Sequence, residues 1–135
     1  MVYVTQEDLV ARFGENELRA RAPDGSGGIE GATVERACAD AQGEIDSRLA
    51  AAGLATPLSP VPPVIVAMAA DIARYRLYDD QVSETIKGRY DGAIRFMKAV
   101  ASGDARLGPA PAGDAGSAGA VDFYPGRRVF GGGGF

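Results

Sequence analysis

The sequence predicts an all-α protein: a small four-helix bundle with one additional helical turn and an extended C-terminal arm rich in glycine and proline. Across residues 1–102, apolar side chains recur at spacings of three and four, which is the period of one helix face. No stretch of that region alternates strictly between apolar and polar residues, so no half-buried strand is expected. Residues 103–135 hold 10 Gly and 3 Pro, and such a composition cannot form a packed core of its own.

The first helix is predicted to begin at Thr5, because Asp8 follows three positions later in a pattern close to a capping box. Gly14 is expected to end this helix, and residues 16–21 then add a short helical turn with Leu18 pointing inward. The apolar stripe of the first helix consists of Leu9, Val10 and Phe13.

The second helix is predicted to start near Thr33 and to stop at Gly53. Glu44 and Arg48 lie four positions apart on its outer side and are expected to pair. A proline-rich connector occupies residues 56–63. The next helix is expected to begin at its end, because proline is well suited to the first turn of a helix. The apolar face of the second helix consists of Val34, Ala37, Cys38, Ala41, Ile45, Leu49 and Ala52.

The third helix is predicted over residues 62–78 and is apolar around nearly its whole circumference. Such a helix is either central in the bundle or shared with a neighbouring subunit. Its polar strip indicates a pair between Asp71 and Arg74. The fourth helix is predicted over residues 83–102. The residues of these two helices predicted to pack in the core or between subunits are Ile65, Met68, Ile72, Tyr75, Tyr90, Ile94 and Met97.

Composition excludes several kinds of activity. The 135-residue chain has no His, one Cys and a formal net charge of −4. Histidine catalysis, histidine metal ligation, CxxC redox chemistry and an intramolecular disulfide are therefore excluded. Cys38 has no histidine base and lies on an apolar helix face, so we interpret it as structural. We predict a protein that is not an enzyme and that uses no cofactor and no metal.

Two acidic features have structural interpretations. Asp79 and Asp80 come where the third helix should end, and adjacent helical side chains point apart, so a solvated helix end is favoured over a catalytic pair. The loop at residues 24–33 shows a faint likeness to a calcium-binding loop. When the loop is aligned with the calcium-binding pattern, however, the first and last ligand positions fall on Ala22 and Thr33. Neither residue has the required carboxylate.

The distribution of charge and apolar residues argues against nucleic-acid coating and against membrane insertion. The chain has 18 acidic and 14 basic residues, whereas a general nucleic-acid-coating protein is usually basic. The excess of acidic residues lies within residues 1–102, which carry 15 acidic and 11 basic side chains. No apolar run approaches the roughly 20 residues that span a bilayer, and the N-terminus has no signal-peptide pattern. A cytosolic protein without membrane contact is the expectation.

The chain is predicted to divide into a helical body at residues 1–102, a flexible linker at 103–122 and a C-terminal arm at 123–135. The arm is rich in large apolar side chains, which a disordered terminus normally lacks. We predict a segment that orders on a partner, with aromatic anchors and arginines that bind carboxylates. The alternatives are a poorly constrained tail and a tail folded back on its own body. The docking residues are Phe123, Tyr124, Arg127, Arg128, Val129, Phe130 and Phe135.

Several stretches of the chain are similar to a known group of phage proteins. They are YVTQEDLVARFG at 3–14, ACADAQGEIDSRL at 37–49, PLSPVPP at 57–63, DIARYRLYD at 71–79, RYDGAIRFM at 89–97, RVF at 128–130 and GF at 134–135. In these stretches and their order the chain resembles the small head–tail connector, or adaptor, proteins of Mu-like phages and prophages. The stretches at 104–121 and 131–134 depart from the pattern.

The resemblance implies a structural protein of the virion neck that is made in the host cytoplasm. It implies a ring, commonly of twelve copies, beneath the portal protein, with the C-terminal arm reaching onto the portal. The next neck protein or the tail would attach below, and genomic DNA would pass through the channel without sequence-specific binding. An acidic body suits such a channel, because it repels DNA phosphates.

Other functions compete with the connector. One is a different neck or head-completion assembly protein, although stopper proteins of the neck are more often rich in β-structure. Another is a small helical DNA-binding regulator, which would need a basic recognition helix. The fourth helix offers only a modest basic excess: Lys87, Arg89, Arg95 and Lys98 against Glu84 and Asp91. A small hydrolase or transferase is disfavoured, because no nucleophile–base pair is evident.

Overall fold

A computed structural model describes residues 2–78 and 82–107, and over these residues the protein consists of helices joined by short connections. The predicted all-α class is therefore confirmed. Within the described ranges, the only β-pairing is an isolated bridge between Pro23 and Ile29. The helices are α1 (Gln6–Phe13), α2 (Glu15–Arg21), α3 (Gly31–Ala51), α4 (Pro63–Tyr78) and α5 (Glu84–Ser102).

The ends of the helices follow local sequence signals. The Thr5 hydroxyl accepts a hydrogen bond from the Asp8 amide, and the Asp8 carboxylate accepts one from the Thr5 amide, which completes the predicted capping box. Gly14 has a φ of 96°, a conformation that favours glycine, and it separates α1 from α2. α3 begins at Gly31, two residues before the predicted start at Thr33.

α4 is the central helix of the bundle and packs against α3, α5 and α1. Its side chains Ile65, Ala69, Ala70, Ile72 and Ala73 are fully buried within a single copy of the chain. The apolar circumference of α4 is thus largely explained by the core of one subunit. Among the described residues, the large apolar side chains that remain exposed are Val2 and Leu54, which both lie outside α4.

The residues predicted for packing fall into two groups. Ile65, Ile72 and Met97 lie in the centre of the core. The remaining four are half-buried at its edge, where Met68 and Tyr90 pack against the core residues. These four are Met68, Tyr75, Tyr90 and Ile94.

The residues after α5 continue to pack on the bundle. Gly103 adopts the left-handed conformation and ends the helix. The amides of Asp104 and Ala105 both donate to the Ala99 carbonyl, at 2.8 and 3.1 Å. Leu107 is partly buried against the core. A truncated chain must therefore extend at least to Leu107 to keep the described core intact.

The N-terminal segment is held to α3 and to the proline-rich connector by one buried tyrosine. The Tyr3 side chain is 2% exposed. Its hydroxyl donates to the Asp46 carboxylate and accepts a hydrogen bond of 2.7 Å from the Leu58 amide. Its own amide donates to Gln42 Oε1 at 3.1 Å. Tyr3 therefore joins three segments that are distant in the sequence.

Replacing Tyr3 with phenylalanine is expected to lower the free energy of unfolding by about 1–3 kcal/mol, because the Leu58 amide and the Asp46 carboxylate lose their shared partner. Urea denaturation of the wild type and of Tyr3→Phe measures the difference. Tyr75→Phe is the matched control, since the ring of Tyr75 stacks on Tyr90 and the substitution keeps that stack. An equal loss in both variants would contradict the proposed role of the Tyr3 hydroxyl.

Stability is also expected to fall at high pH. Burial and the Asp46 carboxylate raise the pKa of Tyr3 to about 12, and burial and the Glu44 carboxylate do the same for Tyr90, from an ordinary value of 10.0. The folded state holds these protons more tightly than the unfolded chain does. Their contribution is therefore complete below pH 10 and is lost as the pH rises towards 12. Urea midpoints measured between pH 9 and pH 11.5 should fall, and less steeply in Tyr3→Phe.

Candidate interaction surfaces

A groove of about 810 Å³ lies between the N-terminal segment and one side of α3. Its lining is mainly apolar, and its charged groups are three carboxylates, those of Glu7, Glu35 and Asp46. The lining contains no basic residue. The other residues that line it are Val2, Val4, Thr5, Gln6, Cys38, Ala39, Gln42 and Gly43.

The groove exists because α3 carries small residues where it meets the N-terminal segment. Ala39 and Gly43 line this side of the helix, and a Cβ placed on Gly43 would meet no atom within 4 Å. Sequence reasoning missed this groove. The available signal was the presence of small residues on a side of the second predicted helix that its apolar stripe leaves uncovered.

Cys38 forms part of the groove wall and is 9% exposed. Burial, together with the nearby carboxylates of Asp8 and Glu35, raises the pKa of the Cys38 thiol to about 11. The thiol is therefore protonated at neutral pH, which agrees with the predicted structural cysteine rather than with a nucleophile. The carboxylates of Glu7, Glu35 and Asp46 make the groove electronegative.

A second surface feature lies on the other side of α3 and is organised by Glu44. One carboxylate oxygen of Glu44 accepts a hydrogen bond from Arg76 at 2.9 Å, and the other accepts from the Tyr90 hydroxyl at 2.7 Å. The Tyr90 ring stacks on Tyr75 with 4.0 Å between ring centroids. The predicted pair with Arg48 also forms, with 3.8 Å between Arg48 Nε and the Glu44 carboxylate, but α4 and α5 supply the closer donors. Glu44 thus joins three helices and acts mainly in the bundle itself.

Glu17 fastens the short helix α2 to α4. Its carboxylate accepts two hydrogen bonds from Arg74, at 2.7 and 3.0 Å, and both side chains are less than one-fifth exposed. The Arg74 guanidinium also lies 4.2 Å from the centroid of the Phe13 ring. The predicted Asp71–Arg74 pair is therefore wrong: Arg74 bonds to Glu17, and the basic group nearest Asp71 is Arg89, at 4.0 Å.

Replacing Glu17 with alanine is expected to destabilise the protein by about 2 kcal/mol, because a partly buried guanidinium loses both of its charged acceptors. Thermal or urea unfolding measures the loss. The matched control is Glu15→Ala on the same helix, where the pair with Arg19 is exposed and is worth at most about 1 kcal/mol. Equal losses in the two variants would show that Arg74 finds another acceptor.

The other features noted in the sequence have local explanations or lie outside the described residues. One oxygen of the Asp24 carboxylate accepts hydrogen bonds from the amides of Ser26 and Gly28, at 2.8 and 2.9 Å, so this group organises its own loop. These hydrogen bonds lower the pKa of Asp24. Over residues 2–78 and 82–107, no three His, Cys, Asp or Glu side chains are grouped so as to hold a metal ion.

The predicted docking residues of the C-terminal segment lie outside the described residues, as do Asp79 and Asp80. These docking residues are Phe123, Tyr124, Arg127, Arg128, Val129, Phe130 and Phe135. On α5, Lys87 is paired with Asp91 at 2.9 Å, and Arg89 faces Asp71. None of the helices in the described part of the chain is long and apolar enough to cross a membrane.

Fold and surface together define a small all-α bundle with an acidic, apolar-lined groove on one flank. The family model described as Bacteriophage Mu, Gp36 matches residues 3–123, so the chain belongs to that family and is a Mu-like phage protein. The Mu-like prophage FluMu protein gp36 of Haemophilus influenzae is 33% identical over 110 residues, covering 80% of this chain and 77% of the relative. Gene product J of Escherichia phage Mu is 33% identical over 107 residues, covering 76% and 74%.

Proposed function

We propose that the protein is a head–tail connector: a structural subunit of the phage neck that forms a ring between the portal and the tail, through which DNA passes. The observation that carries the proposal is membership of the Mu Gp36 family across residues 3–123, a range that includes nearly all of the described helical body. Its partners in this role are the portal protein, other copies of itself, and the next neck or tail protein.

The helical body has the properties that a ring subunit needs. Its core is formed within one copy, centred on α4, so the subunit does not depend on a neighbour to bury its apolar residues. The partly buried Glu17–Arg74 pair holds even the shortest helix, α2, against α4. The groove lies on one flank of α3, and the Glu44 contacts lie where α3 meets α4 and α5. A head-to-tail contact between different surfaces of two copies generates a ring where the rotation between the copies closes.

The charge of the body supports passage of DNA without retention. Glu7, Glu30, Glu35 and Asp40 are exposed carboxylates. On α5, each of two basic side chains faces a carboxylate, namely Lys87 with Asp91 and Arg89 with Asp71. A DNA-binding regulator would instead present an uninterrupted basic surface to the phosphates. A ring of such bodies repels the phosphate backbone, although salt screens this repulsion within about 8–10 Å.

The first experiment is quantitative peptide mass spectrometry on purified phage particles, with this chain compared with the portal protein. The connector is expected at a ratio near one to one, as for a ring that matches the portal. Absence from the particles would overturn the connector and favour a transient assembly role. Presence at a ratio far from that of the portal would favour a different neck or head-completion protein.

A further inference from the structure

The groove beside α3 is an apolar surface that no described residue covers, and its shape and charge indicate what fits it. Val2, Val4 and Cys38 contribute apolar surface, while Ala39 and Gly43 leave room above the helix. Val2 is 63% exposed at the edge of the groove. A suitable occupant therefore brings large apolar side chains to fill the space.

The carboxylates of the groove add a second requirement. Glu7, Glu35 and Asp46 lie in its lining, and the lining includes no basic residue to neutralise them. Glu7 and Glu35 are exposed and form no ion pair with another described residue. A suitable occupant therefore also carries positive charge, preferably the planar guanidinium groups that bind carboxylates well.

One segment of this chain meets both requirements. Residues 123–130, FYPGRRVF, combine three aromatic rings and a valine with Arg127 and Arg128, and no acidic residue follows Asp122. Sixteen peptide steps separate Leu107 from Phe123, and they span at most roughly 55 Å. A body of about 100 residues has a radius of gyration near 13 Å. The segment can therefore reach the groove of an adjacent copy.

We propose that the groove is the acceptor for the C-terminal segment, residues 123–135, of a neighbouring copy of this chain. A contact that runs from the end of one copy to the flank of the next is heterologous, and it generates a ring where the rotation between copies closes. The choice of a neighbouring copy rather than the chain's own body rests on the proposed function. The resemblance implied that this segment binds the portal. The groove is a different acceptor for the same segment, and it lies on the helical body of the chain.

The test uses a fluorescent peptide of residues 121–135 and a full-length acceptor carrying Arg127→Glu, Arg128→Glu and Phe130→Ala. These changes leave the groove of the acceptor free of competition from its own C-terminus. Fluorescence anisotropy should show saturable binding that weakens as NaCl is added. A peptide with both arginines changed to glutamate should bind at least roughly tenfold more weakly. No saturable binding to the acceptor would overturn the proposal.

A matched pair of glycine variants locates the binding site. Gly43→Leu in the acceptor places a side chain in the groove and should abolish peptide binding. Gly88→Leu makes the same change on an exposed part of α5, where the added Cβ also meets no atom within 4 Å, and should leave binding intact. Circular dichroism checks that both variants fold. Equal binding by the two variants would overturn the assignment of the groove.

Sedimentation of the unmodified full chain separates a neighbouring copy from the same copy. The proposal predicts association that increases with concentration and is lost in Gly43→Leu. A chain that stays monomeric although the isolated peptide binds the acceptor would show that the segment occupies its own groove, which overturns the neighbour assignment. Peptide binding to purified portal but not to the acceptor would overturn the assignment of the groove as the binding site. These measurements are made in solution, so they do not depend on whether the chain is found in particles.

Discussion

Replacing Ile72 with alanine is expected to lower the free energy of unfolding by about 2–5 kcal/mol, the range for large-to-small changes in a packed core. Ile72 has no exposed surface and lies on the central helix α4. The surrounding helices cannot fully collapse around the missing atoms, so a cavity adds to the lost transfer free energy. For a small domain with a total stability of roughly 5–15 kcal/mol, this loss is a large fraction.

Urea denaturation followed by circular dichroism measures this effect, with Leu54→Ala as the control. Leu54 is 38% exposed, and its replacement should change stability by about 0.5 kcal/mol or less. A small effect of Ile72→Ala accompanied by loss of self-association would contradict the role of α4 as a core helix. It would support instead the alternative that α4 packs between subunits.

Ending the chain after Leu107 is expected to leave a folded helical body that no longer attaches to the portal. Leu107 is the last described residue and is partly buried against the core. The removed segment contains the aromatic and arginine residues predicted to dock. Circular dichroism should show wild-type helicity, and cosedimentation with purified portal should fall to background. A truncated body that decorates portals normally would contradict a docking role for the C-terminal segment.

Single substitutions test which residues of the C-terminal segment are needed for attachment. Phe130→Ala should weaken attachment by about 2 kcal/mol or more, or roughly thirtyfold, because an anchor residue leaves its pocket empty. Ser117→Ala, in the predicted linker, should have little effect. Equal effects would indicate that the segment is only a tether. Loss of attachment is expected whether the segment binds the portal directly or first binds a neighbouring copy in the ring, and the peptide experiment separates the two.

Local signals in the sequence were sufficient for the helices and for most of their ends. The capping box at Thr5 and Asp8, the glycine stops at Gly14 and Gly103, and the apolar spacing along α3 all depend on residues within one or two turns of each other. The burial of Cys38 followed from the same periodicity, because a residue on the apolar stripe of a helix faces the core. The start of α3, where no side chain caps the helix, was misplaced by two residues.

The partners of the polar side chains were decided only by the tertiary structure. Arg74 was expected to pair with Asp71 three positions away, yet it bonds to Glu17, which lies 57 positions away in the sequence. Glu44 pairs with Arg48 as expected, at 3.8 Å, but α4 and α5 also bring the closer partners Arg76 and Tyr90, which spacing along α3 did not predict. Side-chain spacing along one helix defines which pairs are possible. Which pair forms depends on the donors that neighbouring helices bring near.

The groove, like the pairing of the polar side chains, was decided only by the tertiary structure. The sequence by itself determined that residues 39 and 43 are small, that Glu7 and Glu35 are acidic, and that the end of the chain is aromatic and basic. Only the tertiary structure brought the N-terminal segment beside α3, through Tyr3, Asp46 and Leu58, and so placed these groups around one cavity. Helical periodicity is a property of neighbouring residues, whereas a groove forms between segments that the fold alone brings together.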